Sequence, residues 1–536
     1  MKAAAQARDD SRRGALPALL CLLLLTAATL LLWGHVRPLD QDEVFVLQTD
    51  GVQSLRALLA VQRHTPISLD PLFYHLLGHG AVALLGPTAF AVRLPSLLGY
   101  LLMQVCLYMI GRRMAGTMAG WLAAAVPAIT ATLFYGVQAR PYGVLLGLAA
   151  LLLWSWLRAT RNRGEPRPGP LVLLAVSLAL ALNTHYFAIL LLIPLYGAEL
   201  VRTVAQSRRA GRLQVDWPVV LAVVAGTAGE VLALPFQKAA AEFRAHYYNA
   251  GTVGWHAVTQ SYRALLVNYT DYPLAIQRGV GVLLLAGALV LAVALVRLFR
   301  QGGDGLSVGE RTYLLLLAAL PFAGFLLARF VTHSIEVRYV LPAIIAVALL
   351  LALAVRGVAG RHPVASFAVI LLLIVAAGGE RVREEVRRRA AAVATASISP
   401  EVEAWLQAHP EGRLFVQNTG HFEEALPLIS DALLKQRATL LYSSREELAL
   451  LGHDTGALTA MHLRAFSQVP VETYEALRQR RGATLFVLYP ASGWDWLPQA
   501  LSSLSVPRHT IGNALGGTAV EMALPLPAAG AVRTQP

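Results

Sequence analysis

The chain has 536 residues, of which 56% are hydrophobic and only 14% charged, with a mean hydropathy of +0.54. Soluble globular chains carry about 25% charged residues, so a wholly soluble protein is excluded and much of this chain belongs in lipid. The net charge of +13 gathers in short arginine-rich loops between apolar runs, which is the pattern of the positive-inside rule and not of a nucleic-acid-binding surface.

The first element is a basic segment ending at Arg13, followed by an apolar run from Ala15 to Trp33. Its length, and the lack of a small-x-small cleavage site, predict an uncleaved signal anchor. Further spans are predicted at 89–111, 118–134, 141–158, 171–184, 186–201, 217–236, 279–297, 312–331, 339–355 and 364–379, chosen against a hydrocarbon core of about 30 Å. Basic residues mark one side of these eleven spans: Lys2, Arg8, Arg12 and Arg13; Arg112 and Arg113; Arg158, Arg161, Arg163 and Arg167; Arg202, Arg208, Arg209 and Arg212; Arg297 and Arg300; Arg356 and Arg361. With that side cytoplasmic, residues 34–88, the 134–141 turn, 237–278, 332–338 and everything after 380 lie outside, in a multi-pass protein of the cell membrane. Residues 71–86, "PLFYHLLGHGAVALLG", are apolar but short, and counting them as a span reverses every later loop. They are read as a helix lying in, or re-entering at, the outer interface. The basic run "ERVREEVRRR" at 380–389 is the one cluster on the wrong side; three interleaved acids mark it as an amphipathic lead-in.

Residues 1–379 therefore form the membrane domain, 380–399 a linker, and 400–536 an extracytoplasmic domain. In the last part apolar runs shrink to strand length at 413–417, 438–442 and 483–489, separated by helical stretches near 400–408, 422–436 and 471–481. Alternating strands and helices predict a small α/β layer. No Gly-rich phosphate loop follows a strand, and no repeat period is visible. Cys21 and Cys106 both lie in apolar runs, so neither a disulfide framework nor a metal knuckle is indicated.

Polar groups beside spans carry the functional signal, because desolvating them is expensive. "RPLDQDEVFVLQTD" places Asp40, Asp42 and Glu43 just after the first span; they read equally well as a helix start favoured by the dipole or as a site. Asp70 precedes Pro71 at another helix start. Arg140, in "GVQARPYGVLL", sits at an outer turn where the charge rule disfavours arginine. Asn183, Thr184, His185 and Tyr186 mark a second outer turn, and His333, Glu336, Arg338 and Tyr339 a third. All of them fall on one side of the membrane. Arginine forks suit phosphate, and a carboxylate beside them can act as a general base. Zinc-protease, Ser-His-Asp and P-loop signatures are absent.

In this order the motifs resemble the GT-C glycosyltransferases that use polyprenyl-phosphate sugars, closest to the protein O-mannosyltransferase and aminoarabinose lipid A transferase group with the Rgt-type bacterial enzymes. The resemblance covers about residues 15–355. "DQDEVF" is similar to that family's Asp-Glu in the first outer loop, and "DPLFYHLLGHGAVALLGPTAFAVRLPSLLGYLL" to its "PPLYY…LFG…RLPS". "VQARPYGVLL" resembles "SQEARPYAL", "THYF" the fifth-span turn, and "EVRYVLPAIIAVALLL" the late "RYLLP". The resemblance implies a GT-C fold of about eleven spans with interfacial helices in the first outer loop. It further implies an inverting transfer from a polyprenyl-phosphate-linked sugar to an extracytoplasmic hydroxyl on a lipid, glycan or protein, with no nucleic-acid partner. On it, Asp42 is the base, Asp40 the alternative base, and Glu43 orients the site. Arg140 with Tyr142 meets the donor phosphate, Arg338 and Tyr339 line the lipid-phosphate groove, and His185, Tyr186 and Asp70 bind substrate. The sequence departs from the aminoarabinose enzymes at Leu69-Asp70-Pro71, where they read Lys-Pro-Pro. Either no cofactor or a divalent cation is compatible, with Asp42, Glu43 and Asp70 as oxygen ligands. The competing readings are a secondary transporter, which predicts inverted repeats and mid-span charges, and a lipid-carrier-binding membrane protein without transferase activity.

Overall fold

A computed structural model describes residues 2–161, 166–245, 253–267, 306–333, 335–480, 483–490, 494–504 and 506–525, with isolated positions between 287 and 296. The chain is a multi-pass helical membrane protein with a C-terminal sheet domain. Among the described residues, six helices are long and apolar enough to span a membrane, and a bent pair makes a seventh. Shorter apolar helices at Thr117–Ile129, Pro168–Leu182 and Ala343–Arg356 cover three more of the expected spans. The span expected at 279–297 lies almost wholly outside the described residues, as do Arg163, Arg297 and Arg300.

The helices that frame the site are α1 (Lys2–Val36), α2 (Gln41–Asp50), α3 (Leu55–His64), α4 (Leu72–Leu85), α5 (Ala89–Ala115), α6 (Thr117–Ile129) and α7 (Tyr142–Ala159). Helix α5 begins at a Thr88 cap and ends in Arg112 and Arg113 before Gly116, whose φ of 89° terminates it. It packs along α6 on one side and α7 on the other. The α5–α7 crossing is glycine-mediated: a methyl group on Gly143 would lie 2.3 Å from the Ser96 carbonyl oxygen, and one on Gly147 2.4 Å from that of Gly99. Small residues let two apolar helices approach closely where no hydrophobic effect drives them together. That approach fixes the turn before α7, whose Arg140 carbonyl accepts from Ser96 Oγ at 2.5 Å.

Helix α4 has 14 residues, about 21 Å at 1.5 Å per residue, too short to cross. Tyr74, His75, Gly78 and Ala81 face inward while Leu84 and Leu85 are exposed, as an interfacial helix requires. The span expected at 118–134 breaks at Thr130 into a 3-10 turn, Ala131–Gly136. The one expected at 312–331 bends by 53° between Val308–Ala318 and Leu320–Thr332, where Pro321 cannot donate to the preceding turn.

The stretch read as a linker is different. Residues 380–395 continue the last helix, Pro363–Thr395, without a break. Its basic run is held by exposed ion pairs within the run (Arg383 to Glu380, Arg388 to Glu384) and by contacts to the end of α1, where Arg389 donates to the His35 carbonyl.

Beyond it lies one six-stranded sheet in the order β3-β2-β1-β4-β6-β5. The strands are β1 (Leu414–Val416), β2 (Ala438–Tyr442), β3 (Val471–Thr473), β4 (Ala483–Leu488), β5 (His509–Ala514) and β6 (Gly517–Ala523). β1 to β4 are parallel and β5–β6 an antiparallel hairpin. The hairpin turns through Leu515 and Gly516, both at positive φ, the geometry of a two-residue loop that follows strand twist. Three strands were not anticipated. β3 is too short to alternate and falls where a helix was expected at 471–481, which keeps only Tyr474–Leu477. β5 is largely exposed, so its residues carry no burial signal. The helix expected at 422–436 splits into Thr419–Ala425 and Ala432–Arg437, separated by Pro427.

The sheet domain docks on the first interhelical loop. Phe45 of α2 and Ile67 belong to the same buried cluster as Trp405, Phe422 and Leu463 of the tail. His462 Nδ1 donates to the Pro66 carbonyl at 2.8 Å, and the Gln41 amide donates to Glu424 at 3.2 Å.

Candidate active site

The three acids of the opening loop have separate fates. Asp40 caps α2 and forms a capping box with Glu43. Glu43 is wholly buried and holds a knot: it accepts from Arg37 at 2.5 Å, from Arg93 at 2.9 and 2.7 Å, and from the Ala139 amide at 2.7 Å. Burial alone would raise its pKa, but Arg93 and Arg37 outweigh that and hold it below the usual range. Glu43 thus ties α1, α5 and the Arg140 turn together, which makes it a positioning residue whose oxygens do not face the pocket.

Asp40 gives one oxygen to the Glu43 amide and the other to Arg37 at 2.5 Å and Gln138 at 3.4 Å. Burial, with the charge of Glu43 beside it, moves its pKa up despite Arg37. A raised pKa suits a proton acceptor, but both oxygens are engaged and its side chain is not part of the pocket wall. Asp42 is one residue pair away on the next face of α2. Its side chain is 41% exposed, lines the pocket, and meets Arg140 at 3.7 Å.

Arg140 is the hub. Its side chain is 13% exposed, lies 3.4 Å from Asp70 and 3.7 Å from Asp42, and has a buried Nε without a hydrogen-bond partner. Asp70 is buried and steadied by Ser68 Oγ at 3.0 Å. Burial opposes the Arg140 charge, but Asp42 and Asp70 outweigh it, so it stays firmly protonated. Arg338 lines the same pocket of about 310 Å³ as Arg140 and Asp42, so two guanidinium groups and the Asp42 carboxylate converge there, with Asp70 buried behind Arg140. Such a set can hold a phosphate and accept a proton from a bound hydroxyl.

The remaining candidates sit around this hub. Tyr142 opens α7 with its ring 6.0 Å from the Arg140 guanidinium carbon and 5.5 Å from His185. Tyr339 stacks on Phe187 at 3.7 Å and lies 6.0 Å from His185. His185 accepts from the Phe187 amide through Nδ1, which leaves the proton on Nε2. Burial drives its pKa down to about 4, so it is neutral at physiological pH. Tyr186 is half-buried at the head of the next 3-10 turn and does not line the pocket. Sequence reading missed Arg93, although it sits inside the "RLPS" stretch, and it missed Asp50, whose carboxylate binds His75 Nδ1 at 2.6 Å in full burial. With Glu43 engaged by arginines, the three-acid cation set is broken. Among the described residues, no group of three or more His, Cys, Asp or Glu side chains is arranged to hold a metal ion.

Residues 70–228 match the family described as dolichyl-phosphate-mannose-protein mannosyltransferase, a span that includes Asp70, Arg140, Tyr142, His185 and Tyr186 but not the Asp40–Glu43 loop. No curated protein sequence matches the chain. The crystal structure of ArnT from Cupriavidus metallidurans in the apo state superposes with a TM-score of 0.58 at 13% identity, covering 93% of this chain and 97% of that one. The same protein bound to undecaprenyl phosphate gives 0.58 at 14% identity, covering 96% and 99%. At that identity the likeness is one of fold, and it runs through both the helical bundle and the sheet domain. Over residues 70–228 the chain is thus similar to the mannosyltransferase family, and over nearly its whole length it shares the fold of ArnT.

Proposed function

We propose that the chain is an integral-membrane glycosyltransferase that moves a sugar from a polyprenyl-phosphate donor to an acceptor hydroxyl, with inversion, on the extracytoplasmic side of the cell membrane. The observation that carries this reading is the convergence of Arg140, Arg338 and Asp42 on one pocket at the tail-side end of the bundle, with buried Asp70 behind Arg140. Undecaprenyl phosphate bound to ArnT and the dolichyl-phosphate donor in the family description support a lipid-phosphate sugar. The arginine clusters at the opposite helix ends support a cytoplasmic N-terminus.

The acceptor hydroxyl attacks the anomeric carbon as the bond from that carbon to the phosphate oxygen breaks. Asp42 takes the hydroxyl proton, and the electron pair leaves with the lipid phosphate. Negative charge grows on that phosphate, and Arg140 and Arg338 stabilise it more in the transition state than in the ground state. A single displacement of this kind inverts the anomeric centre. Glu43 and Asp40 keep the Arg140 turn and α2 in register, and neutral His185 with Tyr142 and Tyr339 walls the arginines from bulk water.

The test is transfer by purified protein in nanodiscs, using polyprenyl-phosphate sugars and a panel of hydroxyl acceptors, with the product anomer read by NMR. Asp42→Asn is expected to slow transfer by about 10²–10⁴-fold, and Asp40→Asn to act mainly on stability. Unchanged turnover in Asp42→Asn removes Asp42 as the base. A wild-type protein that turns over no donor but moves a lipid-linked sugar across vesicles would make it a transporter.

A further inference from the structure

The pocket beside Asp42 and Arg140 continues onto the sheet domain, and transfer as written leaves that half unused. Gln417 and Asn418 follow β1, Glu447 and Thr455 follow β2, and Trp494 follows β4, all beyond the carboxyl ends of parallel strands. β1 has β2 on one side and β4 on the other, so the crevice between β1 and β4 is where the strand order reverses. Open α/β sheets bind ligands at that crevice. Here two side-chain amides span it: Gln417 Nε2 donates to the Trp494 carbonyl and Asn418 Nδ2 to Asp495, each at 2.9 Å. The sheet docks so that this crevice opens onto the reacting groups.

The wall also has a definite chemistry. Trp494 is 43% exposed in a domain whose other Trp residues are buried, and His453 stands edge-on to it at 4.9 Å. Around it are amide, hydroxyl and carboxylate groups, and Gly420 and Gly456 let the Gln41 and Glu447 side chains approach closely. A methyl group on Gly456 would lie 2.8 Å from Glu447 Oε1. A pyranose offers one apolar C–H face to an aromatic ring and a rim of hydroxyls, which accept from side-chain amides and donate to amide oxygens and carboxylates. A peptide would be expected to add to a free sheet edge, but the edges are β3 and β5, and neither borders the pocket. The volume of about 310 Å³ falls at the small end of ligand sites, roughly 300–1,000 Å³.

We infer that the sheet-domain half of this pocket is the acceptor subsite and that it recognises a carbohydrate, with Trp494 as stacking platform and Gln417, Asn418, Thr455 and Glu447 as hydrogen-bonding rim. This rests on the transferase reading for the word acceptor; sugar recognition itself does not depend on turnover. The experiment is therefore a binding measurement on the full chain in nanodiscs. Saturation-transfer NMR is run with trisaccharides of glucose, mannose and N-acetylglucosamine and with a Ser/Thr-rich peptide, on wild type, Trp494→Ala, Trp494→Phe and Thr455→Val. At least one trisaccharide is expected to bind wild type. Trp494→Ala should weaken it at least about tenfold, Trp494→Phe should recover part of that loss, and Thr455→Val should weaken it less. Thermal unfolding checks each variant, and if Trp494→Ala does not fold, Trp494→Phe and Thr455→Val decide. No saccharide binding by wild type, binding indifferent to folded Trp494 variants, or binding of the peptide alone overturns the inference. Saccharide binding without transfer from any donor would sustain the subsite while removing the transferase reading.

Discussion

The two ends of α7 place the same residue types in opposite service. At its arginine-rich end, Arg167 donates to the Ala159 carbonyl and pairs with Asp216 at 3.0 Å, while Arg202 meets Glu199 at 2.5 and 2.9 Å and Asp216 at 3.2 Å. Trp156 donates to the same Glu199 at 3.3 Å. These are short, multiply bonded pairs deep between helices. At the other end, Arg140 reaches its two carboxylates only at 3.4 and 3.7 Å and faces a pocket. Short ion pairs locked between helices fix geometry; an arginine held at longer range beside a cavity can take an anionic ligand. Charge at a span end is thus no sign of function until its partners are counted.

That contrast is open to direct attack, beginning with the largest effect. Arg202→Gln leaves buried Glu199 without a cationic partner, while Asp216 keeps Arg167, and should cost about 3 kcal/mol of stability, with the kcat and KM of the folded fraction intact; denaturation of detergent-solubilised protein measures it. Loss of turnover at unchanged stability would erase the distinction between the two ends. Arg140→Gln should do the reverse, lowering turnover by about 10²–10³-fold with a small shift in Tm. Gly143→Leu tests whether the α5–α7 approach holds Arg140 in place: overpacking should cost about 1–3 kcal/mol or more, and a variant that folds normally with full activity would show that the approach is dispensable.

The smallest effect concerns pH. Glu423 of the sheet domain is fully buried with both oxygens unpartnered, and burial pushes its pKa up to about 8 from 4.5. Between those values the folded state holds a proton that the unfolded chain has lost, so stability must fall as pH rises through that window. Glu423→Gln should flatten the decline, raising Tm by a few degrees at pH 8 and changing it little at pH 5. An unchanged pH profile would mean that Glu423 finds a partner in solution. Because Glu423 lies outside the pocket, the substitution should leave transfer untouched.

Much of the membrane part was legible because lipid imposes a simple rule. Apolar length and arginine asymmetry located helices such as Ala89–Ala115 and Tyr142–Ala159 within a few residues, and the same asymmetry made Arg140 conspicuous. The choice between Asp40 and Asp42 was not legible. It turns on Arg37, Gln138 and a capping box, which fill the oxygens of one acid and leave the other facing the pocket. Arg93 was hidden for a related reason: an arginine inside an apolar helix shows its purpose only when Glu43, 50 residues earlier, folds against it. In the sheet domain, β3 is too short and β5 too exposed for any alternation to be read.

By itself, then, the sequence determined that this is a multi-pass membrane protein, where most of its helices run, and which loops gather acids and arginines, because hydropathy and charge act locally along the chain. Tertiary structure decided which acid faces Arg140, which ones are bound into the Glu43 knot, and that Trp494 and Asn418 share a pocket with Asp42 some 400 residues away. Those outcomes depend on pairings between distant segments, and burial assigns such partners only once the helices and the sheet have packed.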